Sequence, residues 1–194
     1  MDNWVFQLAE HWKKQKDIVQ AFGLILYTDR HVNIKKVLSD NDYWAALDDI
    51  SGPKWPVFSI KPLQGTFSPD ISDDKIGLMV PVWKEPLENM PLLEIFGLQS
   101  TKDLPKLIVF CSGRNNEILH HTINLKDNTI EEAYSSLKMA IEVVTMAIEG
   151  ILPENWQNGE GIFSALNLQI SSHKEWEVIK TGFNIFKFLK DLKL

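Results

Sequence analysis

The sequence predicts an α/β fold: a central mixed sheet with helices on both sides. Three observations carry this. Residues 22–28 (FGLILYT) form an apolar run without alternation, the pattern of a strand buried on both faces. A helical connection over 32–50 leads to a second strand at 55–61 (WPVFSIK), and a connection of that length joins parallel strands. Residues 90–125 (MPLLEIFGLQSTKDLPKLIVFCSGRNNEILHHTINL) read as helix, X-Pro, strand, tight turn, strand, which adds an antiparallel pair.

Each element has its own local signal. Trp4, Val5, Leu8, Trp12, Ile18 and Val19 fall at helical spacing, with Asp2 or Asn3 as N-cap, and predict an added N-terminal helix over 2–20. Val32, Val37 and Leu38, then Tyr43, Trp44, Leu47 and Ile50, predict one broken helix or two short ones over 32–50. Asp40 or Asn41 caps the second piece, and Ser51-Gly52-Pro53 ends it. Residues 62–90 form an insertion holding four of the nine prolines (Pro62, Pro69, Pro81, Pro86) and an acidic turn at Asp70, Asp73 and Asp74. Within it, the apolar stretch Ile76 to Trp83 is expected to make an extra edge strand, because Pro81 cannot donate to a central ladder.

Leu92, Leu93, Ile95 and Phe96 give the helix near 91–97 an apolar face, and Gly97 stops it. Strands at 106–111 and 117–123 follow, joined by the polar turn Ser112 to Asn116. Thr129 and Glu132 have capping-box spacing. The helix behind them, 130–149, has Ala133, Leu137, Ile141, Val144 and Ile148 on one face, and Gly150 and Pro153 end it. An apolar segment, Ile162 to Ile170, precedes an amphipathic C-terminal helix bearing Trp176, Ile179, Phe183, Phe186 and Leu189. The expected organisation is one domain over 1–153, including the N-terminal helix, and a helical extension over 154–194 packed on it.

Composition narrows the function classes. The chain has 194 residues, 44% apolar and 24% charged, an ordinary globular balance. A net charge of −6 argues against nucleic acid as a partner. A start without a basic-then-apolar leader and the lack of an 18-residue apolar run predict a cytoplasmic protein with no membrane partner. The chain has one cysteine, Cys111, so neither an internal disulfide nor a multi-Cys zinc site can form within it. Cys111 closes a buried strand and is expected to be an inert thiol. His120 and His121 are neighbours on a strand and point to opposite faces, so they are expected as separate exposed or core-edge histidines rather than one site. Asp70, Asp73 and Asp74 lack the spacing and glycine of a calcium loop. Neither metal nor cofactor is expected.

Assembled over 22–149, the order β, α, β, α, β, β, α resembles the thioredoxin-like superfamily, in a divergent form. Leu104-Pro105 followed by Lys106 to Phe110 looks like that family's proline-plus-strand signature, and Ser112-Gly113-Arg114 looks like its turn between antiparallel strands. The resemblance implies a cis bond at Leu104–Pro105, with the backbone of the preceding residue forming a binding rim. It also implies a Cys-x-x-Cys at the start of the helix after the first strand. This chain has Thr28-Asp29-Arg30-His31 there, with no cysteine, and a thiolate at a helix N-terminus is what thiol–disulfide chemistry requires.

The expectation is therefore a redox-inactive member with no catalytic residues, acting by binding. The partner is another protein or a second copy, and Asp29, Arg30, His31, Leu104 and Pro105 form the rim. Two readings of the Asp29–His31 corner stand. Arg30 can hold an anion and His31 can act as a base in a pocket they line with Leu104. Alternatively, Asp29 caps the next helix while Arg30 and His31 face water. The terminal helices, rich in tryptophan and phenylalanine, cover the sheet or form a subunit interface.

Overall fold

The computed structural model describes residues 19–69, 81–113 and 118–171. Residues 2–18 of the N-terminal helix expected over 2–20, the Asp70–Asp74 turn, residues 76–80, the turn residues 114–117 and the C-terminal helix bearing Trp176 lie outside the described residues. Val19 and Gln20, placed in that first helix by their spacing, are not helical; Val19 is core.

A four-stranded mixed sheet in the order β2-β1-β5-β6 forms the centre. β1 (Ala21–Leu26) runs parallel to β2 (Val57–Ile60), with Gly23 beside Val57 and Leu26 beside Ile60. β5 (Lys106–Ser112) runs antiparallel to β1, and β6 (Ile118–Asn124) antiparallel to β5. The first strand thus ends two residues short of its expected end at Thr28. Every residue of β1 is buried, as its unbroken apolar sequence requires of a strand covered on both faces.

Alternation divides the core in two. Ile25, Leu107, Val109, Cys111 and Ile123 face one side; Phe22, Leu24, Leu26, Ile108 and Phe110 face the other. The first face is covered by α1 (Val32–Ser39), α2 (Asn41–Ser51), α4 (Ile130–Glu149) and α5 (Gly159–Ile170). The second carries α3 (Met90–Ile95), through Leu93, Ile95, Phe96 and Leu98.

The helix boundaries follow from local chemistry. Asp40 is extended, and its carboxylate accepts from the amides of Asp42 and Tyr43, so it ends α1 and caps α2. Gly52 closes α2 at φ 62°. Gly97 closes α3 at φ 63° in a Schellman arrangement, with Leu98 N–H donating to Leu93 O and Gly97 N–H to Glu94 O. Thr129 Oγ1 accepts from Glu132 N at 3.1 Å and caps α4.

The insertion departs from expectation. β3 (Thr66–Pro69) and β4 (Pro81–Lys84) pair antiparallel as a separate two-stranded ribbon instead of extending the main sheet. Pro69 lies opposite Pro81, so neither residue of that pair can donate to a ladder. A near neighbour in sequence supplied the partner strand. The segment expected only as apolar at Ile162–Ile170 is α5, whose Ile162, Phe163, Leu166 and Ile170 are buried in the same core as α4.

Candidate functional site

The Leu104–Pro105 peptide bond is cis. The turn after β1 and the segment before β5 meet beside it, so the structure brings Arg30 and His31 to the same corner as Leu104 and Pro105. Leu26 is registered opposite Lys106, which starts β5 directly after the proline. The ends of two neighbouring strands therefore fix the two loops relative to each other.

Three side chains in this corner are engaged internally. The Arg30 guanidinium donates through one nitrogen to the carbonyls of Thr101 at 2.8 Å and Lys102 at 2.7 Å. Its Nε lies 3.2 Å from His31 Nε2. His31 is only 5% exposed, and its Nδ1 accepts from the Thr28 amide at 2.9 Å, with Thr28 Oγ1 at 3.1 Å. Asp29 takes the other direction, accepting from Lys35 at 2.6 Å and Lys61 at 3.1 Å at the surface. Those two bonds hold its carboxyl below the usual range, and Asp29 in turn raises the Lys35 ammonium.

These contacts correct two expectations. His31 is buried instead of facing water, while Arg30 stays exposed with its guanidinium bonded to the Thr101 and Lys102 carbonyls, and Asp29 does not cap α1. Asp127, in the loop after β6, does that: its carboxylate accepts from Ile34 N at 2.7 Å, and its carbonyl from Asn33 Nδ2 at 2.7 Å. At this corner the polar groups of Arg30 and His31 bond to each other and to the backbone of residues 101–104. Burial lowers the His31 pKa first and Arg30 lowers it further; Asp127 and backbone bonding with Leu104 and Thr28 oppose that.

The segment ahead of the proline is held from its other side as well. Glu85 Oε2 accepts from Thr101 N and Thr101 Oγ1, each at 3.0 Å, while Glu85 Oε1 accepts from Asn89 Nδ2 at 2.8 Å. Asn89, 2% exposed, also exchanges bonds with Leu63, taking its N–H at 3.0 Å and donating to its carbonyl at 2.6 Å. Sequence reasoning missed Glu85, Asn89, Thr101 and Asp127. One local signal existed: Ser100 and Asp103 have capping-box spacing, and they form that box around the 3-10 turn Thr101–Asp103.

Elsewhere the chemistry is enclosed. Cys111 is fully buried, its Sγ–H donates to Gly159 O at 3.2 Å, and burial pushes its pKa up to about 12. His120 and His121 do lie on opposite faces, but both are fully buried instead of exposed or at the core edge. His120 meets Phe96 edge-on at 5.4 Å, and His121 stacks on Phe163 at 4.2 Å. Residues of α3 and α5 that adjoin β6 only in the folded sheet supply this cover. Among the described residues, no group of three or more His, Cys, Asp or Glu side chains is placed to hold a metal ion. No helix of the described residues is long and apolar enough to cross a membrane.

The chain matches no family model, no curated protein and no solved structure.

Proposed function

We propose that the chain is a thioredoxin-like domain that lacks thiol–disulfide chemistry and acts by binding a protein partner through the rim around Leu104 and Pro105. The strand order β2-β1-β5-β6, with β5 alone running against the other three, supports the scaffold half of this reading. So does the placement of α1, α2 and α4 on one face and α3 on the other. The observation that carries the functional half is at the helix after β1. Where a reactive thiolate would stand, Asp29, Arg30 and His31 are tied to neighbouring groups, and the chain's one thiol is buried on β5 at about 12. A thiol held that far above neutrality supplies almost no thiolate nucleophile.

Two measurements test it. A disulfide-reduction assay should show no turnover by the full chain; turnover that disappears in Cys111→Ser overturns the redox-inactive reading. For binding, a photocrosslinking side chain at Lys102 should form protein adducts that the same group at Asp49, an exposed residue of α2, does not. Equal labelling at the two positions overturns the assignment to the rim. Light scattering across a range of concentrations separates a second copy of the chain from a different protein.

A further inference from the structure

We propose that Lys106, Asn124 and Thr122 form a carboxylate-binding site at the end of the sheet, directly behind Pro105. The site stands whether or not a protein binds at the rim.

The ladder places the three residues on one face. Lys106 opens β5 opposite Asn124, the last residue of β6, and Ile108 lies opposite Thr122. Residues two apart on a strand share a face. All three therefore lie on the side that carries α3, where Leu26 and Ile108 belong to the core. Leu26, the last residue of β1, is registered with Lys106 from the other side. The carboxyl ends of the parallel strands β1 and β2 thus point to this end of the sheet, which is where open α/β sheets collect ligands.

Donors outnumber acceptors there. Lys106 is 7% exposed, and its ammonium makes one bond, to Asn124 Oδ1 at 2.6 Å. No carboxylate of the described residues lies within ion-pair distance of it. An ammonium has three donors, and a charge held largely out of water is costly without a counter-ion. Because the ammonium only donates, it turns Asn124 Oδ1 toward itself and leaves the Nδ2 donors without an acceptor among the described residues. Thr122 is fully buried, and its hydroxyl has no hydrogen-bond partner among the described residues. A valine at that position would carry no such cost.

The groups left over all donate, and Lys106 gives them a single positive charge. The matching ligand is an acceptor with a single negative charge. A carboxylate has that charge, and its two oxygens offer about four lone-pair sites, enough for the ammonium, the amide and the hydroxyl together. A phosphate dianion would leave one charge uncompensated beside the apolar core. Asn124 is the exposed member of the three, so the ligand enters from its side.

Titration of the isotope-labelled full chain with sodium acetate, against sodium chloride at equal ionic strength and about pH 7, tests this. The Thr122 backbone amide and the Asn124 side-chain amide should shift to saturation, with a midpoint of about 1–10 mM. Lys106→Met, which keeps the stem and removes the charge, should raise that midpoint by at least about tenfold. Shifts that grow linearly, as with chloride, or an unchanged midpoint in Lys106→Met, overturn the site and leave water as its only occupant. Should Lys106→Met fail to fold, Thr122→Val decides it: the midpoint should rise about tenfold, and an unchanged one overturns the site. Inorganic phosphate binding more tightly than acetate overturns the choice of a carboxylate. The source of the carboxylate is read separately. Protein adducts at Lys102 that fall in Lys106→Met assign it to the partner at the rim, and adducts that persist while acetate binding is lost assign it to a free small molecule.

Discussion

At the scale of single residues, close approach decides more than identity. Gly23 sits in the middle of β1, where an added Cβ would lie 2.7 Å from Trp55 Cζ3 and 3.0 Å from Val57 Cγ2. Trp55 has no room to retreat, since it is fully buried with its Nε1–H on Thr145 Oγ1 at 3.0 Å. Gly23→Ala should therefore cost about 1–3 kcal/mol, as overpacking of a filled core does, read as a lower denaturation midpoint at unchanged slope. Cys111 should resist iodoacetamide in the native chain at neutral pH and react fully once unfolded, because burial and a pKa of about 12 suppress its thiolate. Native labelling at the unfolded rate would refute that. Cys111 could be read from the sequence because its position in an apolar run already implies burial. The corner at Asp29, Arg30 and His31 could be located but not interpreted. Spacing offers Asp29 as the nearest cap, while the actual partners are Asp127, Thr101 and Lys102, far along the chain.

At the scale of elements, stops and caps are local, and they were legible. Asp40, Gly52, Gly97 and Thr129 act within four residues of themselves, and each stands where its spacing predicts. Pairing is not local in this sense. Residues 76–83 carry a strand's composition, but nothing in that composition says whether the partner is the main sheet or Thr66–Pro69. The cap of α1 fails to read for the same reason. This eight-residue helix has no acidic residue in its first turn, and its N-cap, His31, gives no side-chain bond. Asp127 supplies it from the loop ahead of α4. Asp127→Ala should thus cost about 1 kcal/mol and strip hydrogen-exchange protection from the Ile34 amide. Thr129→Ala should cost a similar amount and leave Ile34 unchanged, reducing protection at Glu132 instead. If both variants affect the same amides, α1 and α4 are not capped separately.

At the scale of the whole molecule, burying polar groups inside the sheet sets how the fold responds to acid. The sequence shows that His120 and His121 face opposite ways, but their burial arises only when α3 and α5 close over the two faces. His120 is fully enclosed beside Phe96 and Phe110, and burial lowers its pKa to about 4; the nearby His121 lowers it too, and a backbone bond with Phe96 offsets part of this. The sign follows from linkage. Above about 6.5 the ring is neutral in both folded and unfolded chains, and it contributes no pH dependence. Below that value the unfolded chain takes up a proton that the folded chain refuses, so stability falls as pH falls, until the folded pKa near 4 is reached. A gap of that size corresponds to about 3 kcal/mol at most. His31, also lowered, acts in the same direction from the same starting pH. Denaturation free energies measured from about pH 7 down to about pH 4 should therefore decline steadily. His120→Leu, which keeps an apolar side chain between the same neighbours, should flatten most of that decline. His31→Asn should remove only a smaller part. A wild-type profile that stays level over this range would mean that His120 is not enclosed on its face of the sheet, and that α3 does not cover β6 as Phe96 and His120 imply.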